Sequence, residues 1–454
     1  MFNATDMIIL VSVLLALVFC GFHIAISLGV TSLLGIYLIN GDWETVRRFS
    51  ASTAYEALRD YVFAVIPLFM LMGEFLAKCG AARDLFTLVN RLTQWVPGRL
   101  GVATVLANAV FAFVTGVSIA AAAAFSKIAH PEMRRHGYER KFSLGCIAGS
   151  ACLGMLIPPS VLMIVWGVLT ELAIGKLFIA GIIPGFLVVS LYIAYIVWVA
   201  KTQPHRVGEG PNLPAAQAQA RLVNESATQE SLTKILWSTL GIIMLVVLVL
   251  GGIWLGAFTP TEGAGVGATL ALILAFMRGL RGKEMVEVIL SVGRTSAPLL
   301  LLLVTAQLYS RILAMTGITG AAKEFFLGSG LSPYVILLLM VLVWFILGCI
   351  IDSISIILLT VPVFAPVAVA VGFDPIAFAI LGILAIETGL LTPPFGILVF
   401  TVKAAVTDEK NLSTSEIFSG SVAYWMALLA AIVVIAVFPQ IATWLPNLGN
   451  TIAN

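Results

Sequence analysis

Charge is what this sequence has least of. Lys, Arg, Asp and Glu make up 11% of its 454 residues, against about 25% in a typical soluble domain. That excludes an ordinary water-facing surface over most of the chain. From Glu324 to Val402 there is no Lys or Arg at all. The net charge of +2 offers no basic surface to a nucleic acid. The five cysteines (Cys20, Cys79, Cys146, Cys152 and Cys349) lie in or beside apolar runs, with no CxxC spacing. Neither a disulfide framework nor a cysteine metal site is indicated. No phosphate-cradling P-loop motif occurs, and the alternation of a membrane β-barrel is missing. The opening Met1-Phe-Asn-Ala-Thr-Asp lacks a basic n-region. The first helix is therefore expected to be retained as a signal anchor.

What is present is apolar length. The chain is 60% hydrophobic, and runs at Tyr61–Leu76, Phe178–Val199, Ile235–Leu255, Pro298–Ala314 and Val422–Phe438 approach or exceed the roughly 20 residues of a spanning helix. The expected fold class is an all-α polytopic membrane protein in contact with the lipid bilayer. Two stretches also match at a constant spacing of 235 residues, Gly116-Val-Ser-Ile to Ile157-Pro-Pro-Ser and Ile351-Asp-Ser-Ile to Thr392-Pro-Pro-Phe. Ser118 pairs with Ser353, Gly154 with Gly389, and Pro158 and Pro159 with Pro393 and Pro394. Leu76-Ala-Lys-Cys-Gly80 answers Leu313-Ala-Met-Thr-Gly317. Matched Gly/Pro interruptions in duplicated apolar halves point to a transporter binding site.

Lys and Arg favour the cytoplasmic side. Arg91 and Arg99 precede, and Lys127, Arg134, Arg135, Arg140 and Lys141 follow, an apolar segment that turns near Gly116-Val-Ser118. This predicts a re-entrant hairpin over about 100–134, entering from the cytoplasm, with a broken helix over about 142–169. The second copy lacks flanking bases, so its hairpin (about 334–366) is expected to enter from outside, before a broken helix over about 378–401. The halves are then inverted repeats, 1–200 and 235–454. They are joined by a flexible cytoplasmic loop at 201–234, and the C-terminus lies outside. Asp42–Asp60 and Lys283–Arg294 are expected as amphipathic helices lying on the membrane surfaces.

Backbone inside a bilayer leaves helical geometry only where protein or a water-filled cavity satisfies it. Exposed carbonyls and hydroxyls suit a small hard cation, and free N–H groups at half-helix N-termini suit an anion. Asp352 and Glu387 fall within apolar segments, where a carboxylate costs about 2.5–3.5 kcal/mol on insertion scales. Asp352 has two readings, direct cation ligation or a tip cap. Glu387 has a third option, pairing with a hydroxyl or amide between helices. For Glu262 the expectation is a helix cap with Thr259 or Thr261. His23 is read as a packed interior histidine, and the Trp and Tyr residues mostly as an interfacial belt.

These segments resemble the large membrane subunit of the tripartite ATP-independent periplasmic (TRAP) transporters. The residues that carry the resemblance are His130-Pro-Glu-Met-Arg-Arg-His-Gly-Tyr138, Leu156-Ile-Pro-Pro-Ser160, Thr259-Pro-Thr-Glu262, Asp352 to Phe364, and Glu387-Thr-Gly-Leu-Leu-Thr-Pro-Pro-Phe-Gly396. The resemblance covers nearly the whole chain. It implies an elevator carrier in the cytoplasmic (inner) membrane that takes up an organic acid with sodium rather than ATP. It also implies two partners, a periplasmic substrate-binding protein and a separate small four-helix membrane subunit. It assigns sodium, two ions in all, to Gly116, Ser118, Gly154 and Ile157 and to Asp352, Ser353, Thr388, Gly389 and Thr392. Substrate falls to Ser118, Pro158, Pro159, Ser160, Ser355, Pro393 and Pro394. The family's first tip typically reads Ser-Gly-Ser-Ser-Val-Ala-Asp. Here it reads Thr115-Gly-Val-Ser-Ile-Ala-Ala121, losing a hydroxyl at Val117 and a carboxylate at Ala121. Two other readings stay open, a sodium/divalent-anion symporter that works without a binding protein and, more remotely, an intramembrane hydrolase.

Overall fold

A computed structural model describes residues 4–209, 232–407, 409 and 411–452 of the chain. The structure is helical, and among the described residues its one β pairing is a bridge between Tyr138 and Val207. Seven described segments are long and apolar enough to cross a membrane. The most apolar window of Arg140–Thr170 is 89% buried within the chain, and that of Gly282–Met315 only 28%. The other five spans are 39–56% buried. Packing divides the helices into an inner set that forms or holds the hairpins and interruptions and a peripheral set of the remainder.

The peripheral set begins with α1 (Ala4–Phe19), α2 (Ile24–Asn40), α3 (Trp43–Arg59), α4 (Val65–Lys78) and α5 (Ala81–Leu92). α3 is amphipathic, burying Val46, Thr53 and Ala57. It starts at Asp42, whose carboxylate accepts from the N–H groups of Glu44 and Thr45. Asp60 then ends it and accepts from Val62 N–H to open a single 3₁₀ turn before α4.

The inner set of the first half is α6 (Arg99–Thr115), α7 (Ser118–Arg135), α8 (Arg140–Ala151), α9 (Leu153–Leu156), α10 (Val161–Thr170) and α11 (Ile174–Thr202). The second half repeats the division. Its peripheral members are α12 (Leu232–Trp254), α13 (Pro260–Met277), α14 (Gly282–Met315) and α15 (Ile318–Gly328). Its inner members are α16 (Pro333–Gly348), α17 (Ser353–Ala370), α18 (Pro375–Gly389), α19 (Ile397–Ala405), α20 (Thr414–Val437) and α21 (Gln440–Ile452). α2 and α4 pack on α14, and α4 also packs on α13. Inside, α8 packs on α20 and α16 on α18.

Several sequence expectations change here. Lys283–Arg294 is not a separate surface helix. It is the first part of the 34-residue α14, which continues through Pro298, because this half has no counterpart of the Asp60 cap to stop it. His23 is exposed rather than packed, and its Nδ1 caps α2 by accepting from Ala25 N–H. Trp166, Trp344, Tyr138, Tyr192 and Tyr424 are fully buried rather than interfacial. Trp166 and Trp344 meet edge-on at 5.7 Å, and Trp344 Nε1 donates to Thr360 Oγ1 at 2.7 Å. Thr259 and Glu262 do form a capping box at the start of α13. The linker begins as docked chain, with Glu209 accepting from Gly98 N–H and Arg206 paired with Glu139. Its remainder, 210–231, lies outside the described residues.

Two contacts fasten the inner set. α8 and α20 touch backbone to backbone, so that a Cβ on Gly145 would lie 2.1 Å from Gly420 O. Small residues permit such approach between membrane helices. At the base of the first hairpin, Glu409 accepts from Arg134 Nε at 2.8 Å and Arg140 Nη1 at 3.3 Å, and it meets His130 Nε2 at 3.1 Å. Arg140 also pairs with Glu416. Partial burial works to raise the Glu409 carboxyl, but Arg134, Arg140 and His130 outweigh it and hold it below the ordinary carboxylate range.

Gly145→Val is expected to cost at least the 1–3 kcal/mol typical of overpacking, read as loss of monodisperse protein and a lower melting temperature in detergent. Glu409→Gln should lower stability at neutral pH. A carboxyl depressed in the folded state contributes above its unfolded pKa and loses that contribution as pH falls through its folded pKa. The gap between wild type and variant should therefore close below about pH 4, as followed by thermal melts across pH.

Candidate functional site

The site is built from two helical hairpins and two interrupted helices. In the first hairpin, α6 ends at Thr115 and Gly116 turns the chain with φ +61°, its N–H bonded to Ala112 O. Val117 is extended and α7 starts at Ser118. A Cβ on Gly116 would lie 2.5 Å from Pro159 O, and one on Gly154 would lie 2.9 Å from Ser118 Cα. Only glycine allows that turn and those two approaches. They seat the tip on the interruption between α9 and α10, where Ile157 is extended and the Pro158–Pro159 peptide is cis. Ser160 caps α10 and donates to Met155 O.

The second hairpin is seated the same way on the interruption between α18 and α19. A Cβ on Gly389 would lie 2.6 Å from Gly348 Cα. Thr392 Oγ1 donates to Gly389 O at 2.8 Å and lies 2.9 Å from Cys349 Sγ. Thr388 Oγ1 donates to Leu384 O. The Pro393–Pro394 peptide is cis, and Gly396 turns into α19 with φ +43°.

The two carboxylates have different jobs. Asp352 is exposed and caps α17, accepting from Ser355 N–H and Ser355 Oγ. The cap, one of its two sequence readings, is formed. Glu387 is 1% exposed. Its Oε2 accepts from Ser118 Oγ at 2.6 Å and its Oε1 from Ser353 Oγ at 3.2 Å. One carboxylate thus joins the first residue of the second arm of both hairpins. Ser118 and Ser353 are the pair separated by 235 residues. Cys152, which stands 235 residues before Glu387, donates from Sγ to the Glu387 carbonyl at 3.5 Å.

The structure thus brings together Gly116, Ser118, Gly154, Ile157, Pro158, Pro159 and Ser160 on one side. On the other it brings together Ser353, Thr388, Gly389, Thr392, Pro393 and Pro394, with Glu387 between. Ser355, buried two residues beyond Ser353 on α17, bonds the Asp352 carboxylate. Accessibility differs between the breaks, since Pro158, Pro159 and Ser160 are buried while Pro393, Pro394 and Phe395 are exposed. Sequence reading left out Cys152, Cys349 and Gly73 as site residues. The 235-residue spacing pointed to Cys152. Nothing local pointed to Gly73 of α4, where a Cβ would lie 2.6 Å from Val114 O beside the first tip.

The donors around both tips are hydroxyls, backbone carbonyls and carboxylates, the oxygen set that suits a small hard cation. The N-termini of α7 and α19 carry no side-chain cap. At α19 the Leu398 N–H bonds Leu390 O across the break, while the first turn of α7 has N–H groups of the kind that suit an anion.

Comparison with known proteins agrees with this architecture. The sequence profile of the tripartite ATP-independent periplasmic transporter DctM component matches residues 11–441. The C4-dicarboxylate TRAP transporter large permease protein DctM of Pseudomonas aeruginosa is 34% identical, over 93% of this chain and 94% of its own. The sialic acid TRAP transporter large permease protein SiaM of Vibrio cholerae is 29% identical, over 96% and 97%. The crystal structure of the Alcanivorax borkumensis YdaH transporter aligns over 89% of each chain with a TM-score of 0.61 and 14% identity, a likeness of fold alone. The chain is a multi-pass membrane protein, and it belongs to the DctM component family of the tripartite ATP-independent periplasmic transporters.

Proposed function

We propose that this chain is the large permease of a TRAP system that imports an organic acid, driven by sodium entry, through an elevator movement. The observation that carries the reading is the backbone-to-backbone seating of each hairpin tip on a helix interruption, at Gly116 with Pro159 and at Gly348 with Gly389. Such junctions offer carbonyls to a cation and N–H groups to an anion at one place. The relatives named for C4-dicarboxylates and for sialic acid both carry carboxylates, and a carboxylate is the proposed cargo.

In this reading one sodium ion uses Ser118 with the backbone at Gly116, Gly154 and Ile157. A second uses Ser353, Thr388, Gly389 and Thr392, with Asp352 shaping the tip as its cap. Substrate lies between the breaks, at Ser118, Pro158, Pro159, Ser160, Pro393 and Pro394. The inner set moves and the peripheral set stays. The packing of α4 with α13 and α14, apart from the α8–α20 and α16–α18 pairs, supports that assignment. A periplasmic binding protein delivers the acid, and a separate small four-helix subunit widens the fixed set. The clustering of Lys127, Arg134, Arg135, Arg140, Lys141 and Lys403 favours a cytoplasmic location for the base of the first hairpin, in the inner membrane, with the C-terminus periplasmic. Two sodium ions with a monoanion move one net charge inward, worth about 2.3 kcal/mol per 100 mV.

Proteoliposomes holding this chain, its small partner and the binding protein are expected to accumulate a labelled dicarboxylate or sialic acid only under an inward sodium gradient. Equal accumulation with potassium replacing sodium would contradict the coupling. Gly389→Val, which pushes a side chain into Gly348, is expected to lower sodium-driven uptake about tenfold or more in protein that still purifies monodisperse. Uptake at the wild-type rate would argue against a tightly seated tip.

A further inference from the structure

We propose that Glu387 is a positioning residue shared by both cation sites. It sets the serine hydroxyl at each hairpin tip and thereby couples occupancy of one site to the other. The proposal rests on the sodium reading above.

A serine hydroxyl has one proton and two acceptor lone pairs. Ser118 and Ser353 each spend that proton on Glu387, one on each carboxylate oxygen. The remaining face of each Oγ can then only accept, which is what a bound cation requires. Without the carboxylate, either proton is free to swing into the site and repel the ion. Glu387 is also 1% exposed, and among the described residues it has no ion pair with Lys, Arg or His. A buried carboxylate without a countercharge is costly. Cations held at the two hydroxyls it orders would supply that charge from both sides.

The position of Glu387 in the repeat explains why one such group suffices. Its counterpart at the 235-residue spacing is Cys152, whose Sγ already touches the Glu387 carbonyl. A carboxylate at both positions would bury two like charges side by side. The first tip has Val117 and Ala121 and no acidic residue of its own. It takes its negative partner from the second half, while Asp352 is occupied in capping α17.

The test is a sodium titration of wild type, Glu387→Gln, Ser118→Ala, Ser353→Ala and the Glu387→Gln/Ser118→Ala pair. It is read as melting temperature of the purified chain in sodium against potassium, and as uptake in proteoliposomes with both partners. Wild type is expected to stabilise with sodium and to take up substrate with a Hill coefficient approaching about two. Glu387→Gln is expected to raise half-saturating sodium about tenfold and to bring the Hill coefficient toward about one. Adding Ser118→Ala to Glu387→Gln should cost little more, because the two groups act as a unit. A purely structural role would lower the melting temperature equally in sodium and potassium, and that result would overturn the proposal. Unchanged sodium dependence in Glu387→Gln, or fully additive losses in the pair, would overturn it as well. If Glu387→Gln yields no folded protein, the two single serine variants carry the test. Each is expected to weaken sodium dependence and cooperativity, and wild-type values in both would refute the coupling. A wild type indifferent to sodium would overturn the sodium reading itself, and this inference with it.

Discussion

Backbone that leaves the helix inside a membrane must find its hydrogen bonds in the protein. Two Pro-Pro interruptions, after Leu156 and after Thr392, impose that demand at the centre of this chain. The answer in each half is a hairpin tip brought close enough to cover the break, and closeness of that order depends on glycine. Gly116, Gly154, Gly348 and Gly389 occur where any side chain would strike backbone. The remainder of the inner set is arranged to hold these contacts, from the Gly145–Gly420 crossing to the Trp166–Trp344 pair.

That arrangement also determines what the site can do. A junction made of carbonyls, hydroxyls and helix ends has partial charges of both signs and little side-chain bulk. Gly73 lets the peripheral α4 run close to the first tip without a side chain between them, leaving a smooth contact where the two helix sets meet. The Glu409 node ties the base of the first hairpin to the chain between α19 and α20.

The helix interruptions were legible because Pro and Gly constrain the chain locally, at Pro158, Pro159, Gly116, Pro393 and Pro394. The capping box at Thr259 and Glu262 was legible for the same reason. Tertiary facts were not. Nothing near Trp344 or Tyr424 distinguishes a buried aromatic from an interfacial one, since that depends on which helix it faces. The continuity of α14 through Pro298 was hidden because proline is tolerated in membrane helices when neighbours meet the freed carbonyl. Glu387 stood out as a charge in an apolar run. That it bonds Ser118, 269 residues away, follows only from the fold. The spacing that pairs Glu387 with Cys152 was in the sequence, but its meaning needed the contact between them.

The central claim is that each tip and its break enclose a cation, with Glu387 behind both serine hydroxyls. High-resolution cryo-EM maps of the assembled transporter in sodium and in potassium test this most directly. In sodium, density should appear at both junctions, in contact with Ser118 Oγ and Ser353 Oγ on the faces turned away from Glu387, and it should be absent in potassium. Junctions without ion density in sodium, or ions bound away from the two serines, would contradict the claim.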